Sequence, residues 1–143
     1  MKAIAFVSSL CLLTACERVD FARRNELSLV ERNAAVETLR RNAAALNAGD
    51  LDALERTIDE NSPVLEEAMQ SAEAMIVRFG PTVGIRDVRL VSEKRGELVL
   101  GYVQTIAVKR GHMPFSAAQV ETTLVRGRNG WGISSTRVLS LKP

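Results

Sequence analysis

The chain has 143 residues, 46% hydrophobic and 25% charged, with a formal net charge of +2, a profile that excludes disorder, collagen and coiled coil and fits one ordinary globular domain. Charge is unevenly placed: the first sixteen residues carry only Lys2, against eighteen basic and seventeen acidic residues in the other 127. His112 is the only histidine, and no glycine-rich phosphate loop or metal-ligand spacing occurs, so neither metal nor cofactor is expected.

Met1 and Lys2 make a short positive start, and Ala3 to Ala15 is an uncharged, mostly apolar run broken by Ser8, Ser9 and Thr14. That is a signal-peptide pattern. As a helix the run would cover roughly 20 Å, short of the ~30 Å hydrocarbon core, and no second apolar stretch of spanning length follows. The run ends in Leu13-Thr14-Ala15-Cys16, which resembles the lipobox of bacterial lipoproteins. The resemblance implies that the Cys16 thiol receives a diacylglycerol, that the leader is cut before it, and that the new amine is acylated. Several acyl chains give an anchor that does not readily release. Cys11 would leave with the leader, so the mature chain keeps one cysteine, consumed by lipid, and no intramolecular disulfide is available. Glu17 stands where the family's inner-membrane retention rule wants Asp, which leans the expectation to a periplasm-facing anchor in the outer membrane rather than the inner. The expected organisation is a leader over 1–15, a lipidated Cys16 with a short polar tether to 25, and one domain over 26–143.

A first helix is expected from about Ser28 to Asn47. Ser28 and Glu31 form a capping box, and Leu29, Val36, Leu39, Ala43 and Leu46 recur at helical spacing. Gly49 stops it, and Asp50 caps a short second helix that carries Leu51, Leu54 and Ile58 inwards. Ser62 is the expected N-cap of a third helix, with Pro63 at its first position. Leu65, Ala68, Ala72, Met75, Ile76 and Phe79 make its apolar face, and Gly80-Pro81 ends it. From Val83 the period becomes alternating and four strands fit, approximately Val83 to Ser92, Glu97 to Lys109, Phe115 to Arg126 and Trp131 to Leu141. Lys94-Arg95-Gly96 reads as a three-residue hairpin loop and Asn129-Gly130 as a tight turn.

Three helices before an antiparallel meander, with the run Ala45-Leu46-Asn47-Ala48-Gly49-Asp50-Leu51-Asp52-Ala53-Leu54 and a final strand opening on Gly130-Trp131, resemble the nuclear transport factor 2-like (NTF2-like, cystatin-like) superfamily. The resemblance implies an α+β fold, with N-terminal helices packed on a curved four-stranded antiparallel sheet. No strand pair is visible between the second and third helices, so the cone should be a reduced one. Members use such cones for small-molecule binding, isomerase or dehydratase chemistry, or dimerisation, and fold alone does not choose among these.

Hairpin parity sets the facing of side chains. Pairing Glu93 with Glu97 puts Val88, Leu90, Leu98, Leu100, Tyr102, Gln104 and Ile106 on one face. A turn at Asn129-Gly130 puts Val120, Thr122, Leu124, Trp131, Ile133, Ser135, Arg137 and Leu139 on one face, with a bulge able to reverse part of it. The candidate pocket-lining residues are therefore Tyr102, Gln104, Thr122 and Arg137, four polar groups in an apolar lining, and Arg137 suits an anionic ligand. No nucleophile, base and orienter set is evident, and Asp50 is explained by its cap. Residues 17–73 carry thirteen acids and seven bases, residues 74–143 four acids and eleven bases. An acidic helical layer thus faces a basic sheet, suited to acidic partners or anionic headgroups. The expected function is a non-enzymatic, lipid-anchored envelope protein that binds another envelope protein or a small apolar or anionic ligand. The alternatives are an isomerase- or hydratase-like enzyme and a structural homodimer through the sheet face. Nucleic acid is not an expected partner of an exported chain.

Overall fold

The computed structural model describes the backbone from Leu10 and the side chains from Leu29 to Pro143. The leader expected over 1–15 and the lipid site expected at Cys16 lie outside the residues whose side chains are described. The elements are α1 (Leu10–Ala48), α2 (Leu51–Glu55), α3 (Leu65–Phe79), β1 (Pro81–Lys94), β2 (Glu97–Val108), β3 (Ala117–Gly127) and β4 (Gly130–Lys142). By its internal contacts the chain divides into Met1–Asn33 and Ala34–Pro143, and the second unit holds the sheet, α2, α3 and the rest of α1.

α1 begins well before the expected cap at Ser28. Residues 10–48 contain neither Gly nor Pro, so nothing in the backbone chemistry stops the helix there. Ser28 and Glu31 lie inside it, and 17–25 is part of the same helix. In the second unit its buried stripe is Ala35, Thr38, Leu39, Ala43 and Ala45, with Val36 and Leu46 half-buried. Leu29, expected in that stripe, is exposed. Gly49 ends the helix in the left-handed region at φ +68°, where a Cβ would be penalised. Asp50 then caps α2 as its position in sequence suggests, its carboxylate accepting from the Ala53 amide at 2.9 Å.

Ser62 does not cap α3. The helix starts three residues later, after a turn in which the Ser62 hydroxyl accepts from the Val64 amide at 3.3 Å while donating to the Ser134 carbonyl at 2.6 Å, which ties that turn to β4. At the other end the Arg110 guanidinium donates to the carbonyls of Ile76 (2.9 Å) and Val77 (3.0 Å), satisfying last-turn groups with a charge of the favourable sign.

The sheet is an antiparallel meander in the order β1-β2-β3-β4. Lys94 pairs with Glu97, so the first hairpin turns on two residues and not the expected three. Single-residue register shifts between Leu90 and Ser92 and between Arg86 and Arg89 follow in β1. Asp87, at φ +56°, sits in the second shift, a residue type that tolerates this region. In β4 Ser134 and Leu139 are the extra residues: Leu124 pairs with Ile133 but Thr123 with Ser135, and Val120 with Val138 but Gln119 with Ser140. Such bulges bend the strand that carries them. The core joins Ala35 and Leu39 of α1 to Leu98, Leu100 and Tyr102 of β2, Ala118, Val120 and Leu124 of β3, and Trp131 of β4. Burying a side chain such as Leu39 or Leu124 contributes roughly 1.5–3 kcal/mol, and Thr38 adds a hydroxyl bond to the Trp131 carbonyl at 3.2 Å.

Candidate functional site

The bulge at Ser134 decides what the sheet shows to the helices. Without it Ser135 would stand opposite Thr122; with it Thr136 does. Tyr102, on β2, reaches the same spot from the next strand. Its hydroxyl lies 2.9 Å from Thr122 Oγ1, and Thr122 Oγ1 lies 3.0 Å from Thr136 Oγ1. Tyr102 and Thr122 are buried and Thr136 is exposed, so three hydroxyls form a line from the core outwards. Burial pushes the Tyr102 hydroxyl above its ordinary pKa, and the Thr122 bond opposes this only in part. It is neutral at physiological pH.

Thr136 lines a groove of about 380 Å³ between α3 and β4. Leu46, Leu54 and Ile58 form the wall towards α1 and α2, Ile133 to Thr136 the strand wall, and Val64, Ala68, Ser71 and Ala72 the α3 wall. The last three are small, and α3 has no fully buried residue, which is why the helix does not close on the sheet. Asn42 and Glu67 complete the lining; Glu67 is its sole ionisable member and stands exposed. The α2–β4 side is held by a parallel bridge from Ile58 to Ile133 and by Asn42 Nδ2 donating to Thr57 Oγ1 at 2.8 Å. A more open hollow of about 550 Å³ lies along α2 and α3, rimmed by Glu55, Glu66 and Glu73. Its buried hydroxyl, Ser62, already donates to the Ser134 carbonyl and accepts from the Val64 amide.

Of the four residues expected to line a pocket, the structure brings Tyr102 and Thr122 together, behind the groove wall rather than on it. Gln104 is half-buried between Ile85 and Ala118, away from the groove. Arg137 is turned to the opposite face by the Ser134 bulge. It pairs with Glu121 at 2.5 Å and is 72% exposed, so it offers no anion contact inside. His112 is exposed in the β2–β3 connection and does not line the groove. Thr136, Ser71 and Asn42 were not expected. For Thr136 a signal exists in the sequence: Ser134-Ser135-Thr136 is a polar run that breaks the alternation of Trp131 and Ile133.

Helices laid over a bent four-stranded antiparallel meander, with a groove under the last helix, define the cystatin-like, NTF2-like class. Solved structures share it. They include a protein with a cystatin-like fold from Nostoc punctiforme (14% identity, TM-score 0.66, covering 80% of this chain and 92% of that one) and an NTF2-like protein from Cytophaga hutchinsonii (10%, 0.63, 76% and 96%). A proposed scytalone dehydratase from Novosphingobium aromaticivorans is similar as well (13%, 0.66, 82% and 90%). At such identities the likeness is one of fold alone. Within the class, the chain belongs to the family of the anti-sigma-I factor RsgI9, C-terminal domain, whose model matches residues 37–143. No curated protein sequence matches the chain.

Proposed function

We propose that the chain is a lipoprotein held at the bacterial envelope through Cys16, on the periplasmic side and in the outer membrane rather than the inner, whose domain binds a partner or ligand without turning it over. The observation that carries the binding reading is the chemistry of the groove. Its helix side is mostly apolar, its polar groups are hydroxyls and one amide, and Glu67, at the exposed rim, has no second ionisable group across the lining. Acid–base chemistry needs a positioned proton donor or acceptor tuned by its neighbours. A binding groove needs apolar area and a few directed polar groups. The family name points the same way, since an anti-sigma factor is defined by holding another protein.

Hydratase-like chemistry is the second reading, supported by the fold likeness to the proposed scytalone dehydratase. Three experiments separate these readings and test the anchor. Labelled palmitate should enter the full chain and be lost with Cys16→Ser; unchanged labelling removes the anchor. A photo-cross-linking residue at position 71, inside the groove, should capture a discrete envelope component that the same residue at position 105, on the outer sheet face, does not. Turnover of a substrate by the purified chain, lost on Glu67→Gln, would establish the enzyme instead.

A further inference from the structure

We propose that the groove between α3 and β4 takes a small, uncharged, mainly apolar molecule with one acceptor oxygen, held by Thr136 at the outlet of the buried hydroxyl line. This rests on the binding reading above and specifies its ligand.

Three hydroxyls in series hold three hydrogens and make two hydrogen bonds, so one hydrogen is left over. If the line ran inwards from Thr136, the spare hydrogen would be that of Tyr102, in the core. If both ends donated to Thr122, the spare hydrogen would be that of Thr122 itself, which is 0% exposed. Either case leaves a buried donor without an acceptor, the costly outcome. Running outwards, Tyr102 donates to Thr122, Thr122 donates to Thr136, and the spare hydrogen is that of Thr136, at the groove wall. Bonds in series polarise one another, so the groove presents a strengthened donor at its strand wall.

The rest of the lining fixes the ligand's class. About 380 Å³ lies within the ~300–1,000 Å³ typical of small-molecule sites. Leu46, Leu54, Ile58 and Ala72 call for an apolar body, and the sole ionisable lining group, Glu67, repels an anion. A neutral molecule with a carbonyl or ether oxygen meets all three conditions.

The probe is prodan, a neutral naphthalene ketone that absorbs where tryptophan emits; Trp131 is the only tryptophan and lies two residues from Ile133 of the groove. The control is its analogue with the ketone reduced to a methylene. Mixed with the purified full chain, prodan should bind saturably and draw emission from Trp131. Thr136→Val should weaken prodan about tenfold, the scale of one hydrogen bond, while leaving the methylene analogue within about twofold. Ala72→Leu, which fills the groove, should remove both; if that variant unfolds, Ser71→Leu serves the same purpose. Absence of saturable transfer in the unaltered chain, equal weakening of both probes by Thr136→Val, or indifference to groove filling overturns the proposal. A chain that fails with prodan yet keeps its envelope cross-link from position 71 overturns only this ligand assignment and leaves the binding reading standing.

Discussion

Gly132 lies directly against the backbone of Asp59: a β-carbon at 132 would stand 2.9 Å from both the amide nitrogen and the Cα of Asp59. The approach is enforced on either side, since the Ile133 amide donates to the Thr57 carbonyl and the Asp59 amide to the Ile133 carbonyl, each at 2.9 Å. No side-chain rotation relieves a clash with backbone. Gly132→Ala should therefore cost about 1–3 kcal/mol, in the range of overpacked sites, read as a lower urea midpoint with unchanged slope. Gly127→Ala is the control, since its β-carbon would meet nothing nearer than 3.7 Å. Equal midpoints for the two variants would show that the 57–59 segment moves aside freely.

Asn47 supplies β1 with the partner an edge strand lacks. Its Oδ1 accepts from the Val83 amide at 2.6 Å and its Nδ2 donates to the Val83 carbonyl at 3.0 Å. Asn47→Ala leaves both groups without that partner, and a loss of about 1–3 kcal/mol is expected. Asn47→Asp is more diagnostic: an ionised carboxylate keeps the acceptor but sets a negative charge against a carbonyl. Its destabilisation should ease below about pH 4, where the protonated acid can donate again. A stability of the Asp variant that does not rise on acidification, relative to the parent chain, would contradict this account.

Much of this architecture is legible in the residues, and the parts that are not share one cause. Gly49 with Asp50 marks its break because it needs a local conformation that few residue types supply, whereas the last hairpin turns on Arg128 and Asn129, one residue before the expected Asn129-Gly130, with Gly130 at φ +104° opening β4. The strand runs are visible because alternation over a long stretch has one reading. Bulges, by contrast, are decided by tertiary packing. One extra residue at Ser134 sends Arg137 outwards and brings Thr136 in, and the hairpin parity that places Tyr102 and Thr122 correctly has no means of counting that residue. The groove is illegible for a related reason. Ala68, Ser71 and Ala72 read equally well as a closely packed helix face, and only the position of α3 over the sheet makes them a gap. Ser62 misleads because its oxygen closes a turn on the Val64 amide instead of a helix, while its proton goes to Ser134, 72 residues away.

The outward turn of Arg137 has a measurable consequence. Its pair with Glu121 joins a 72% exposed guanidinium to a carboxylate only 13% exposed, so removing the arginine leaves a largely covered charge without this partner, a larger loss than the roughly 0–1 kcal/mol of a fully exposed pair. Arg137→Ala should accordingly destabilise the chain by about 1–3 kcal/mol, with the effect shrinking in high salt, and it should leave prodan binding unaltered. A loss of prodan affinity comparable with that of Thr136→Val would place Arg137 at the groove after all.

Tyr102 is the only tyrosine in the chain, so its phenolate absorbance can be followed without interference from another. Burial raises its pKa above the ordinary 10.0, and the hydrogen bond to Thr122 takes back part of that shift. The folded chain therefore keeps this proton at a pH where the unfolded chain has released it. Wherever the folded state binds more protons than the unfolded one, stability falls as pH rises. This contribution is fully present below the unfolded value of about 10 and is lost as pH climbs from there through the folded value. The absorbance midpoint should lie above 10 in the folded chain and return to about 10 in urea. Urea midpoints should show a decline beginning near that pH, and Tyr102→Phe, which has no proton to lose, should lack that part of the decline. The same variant removes the inner end of the hydroxyl line. Thr122 is then free to accept from Thr136, so prodan should bind more weakly even though every residue of the groove wall is unchanged. A folded-state midpoint at or below 10 would mean that the Tyr102 hydroxyl is open to solvent, and the outward direction of the line would lose its basis.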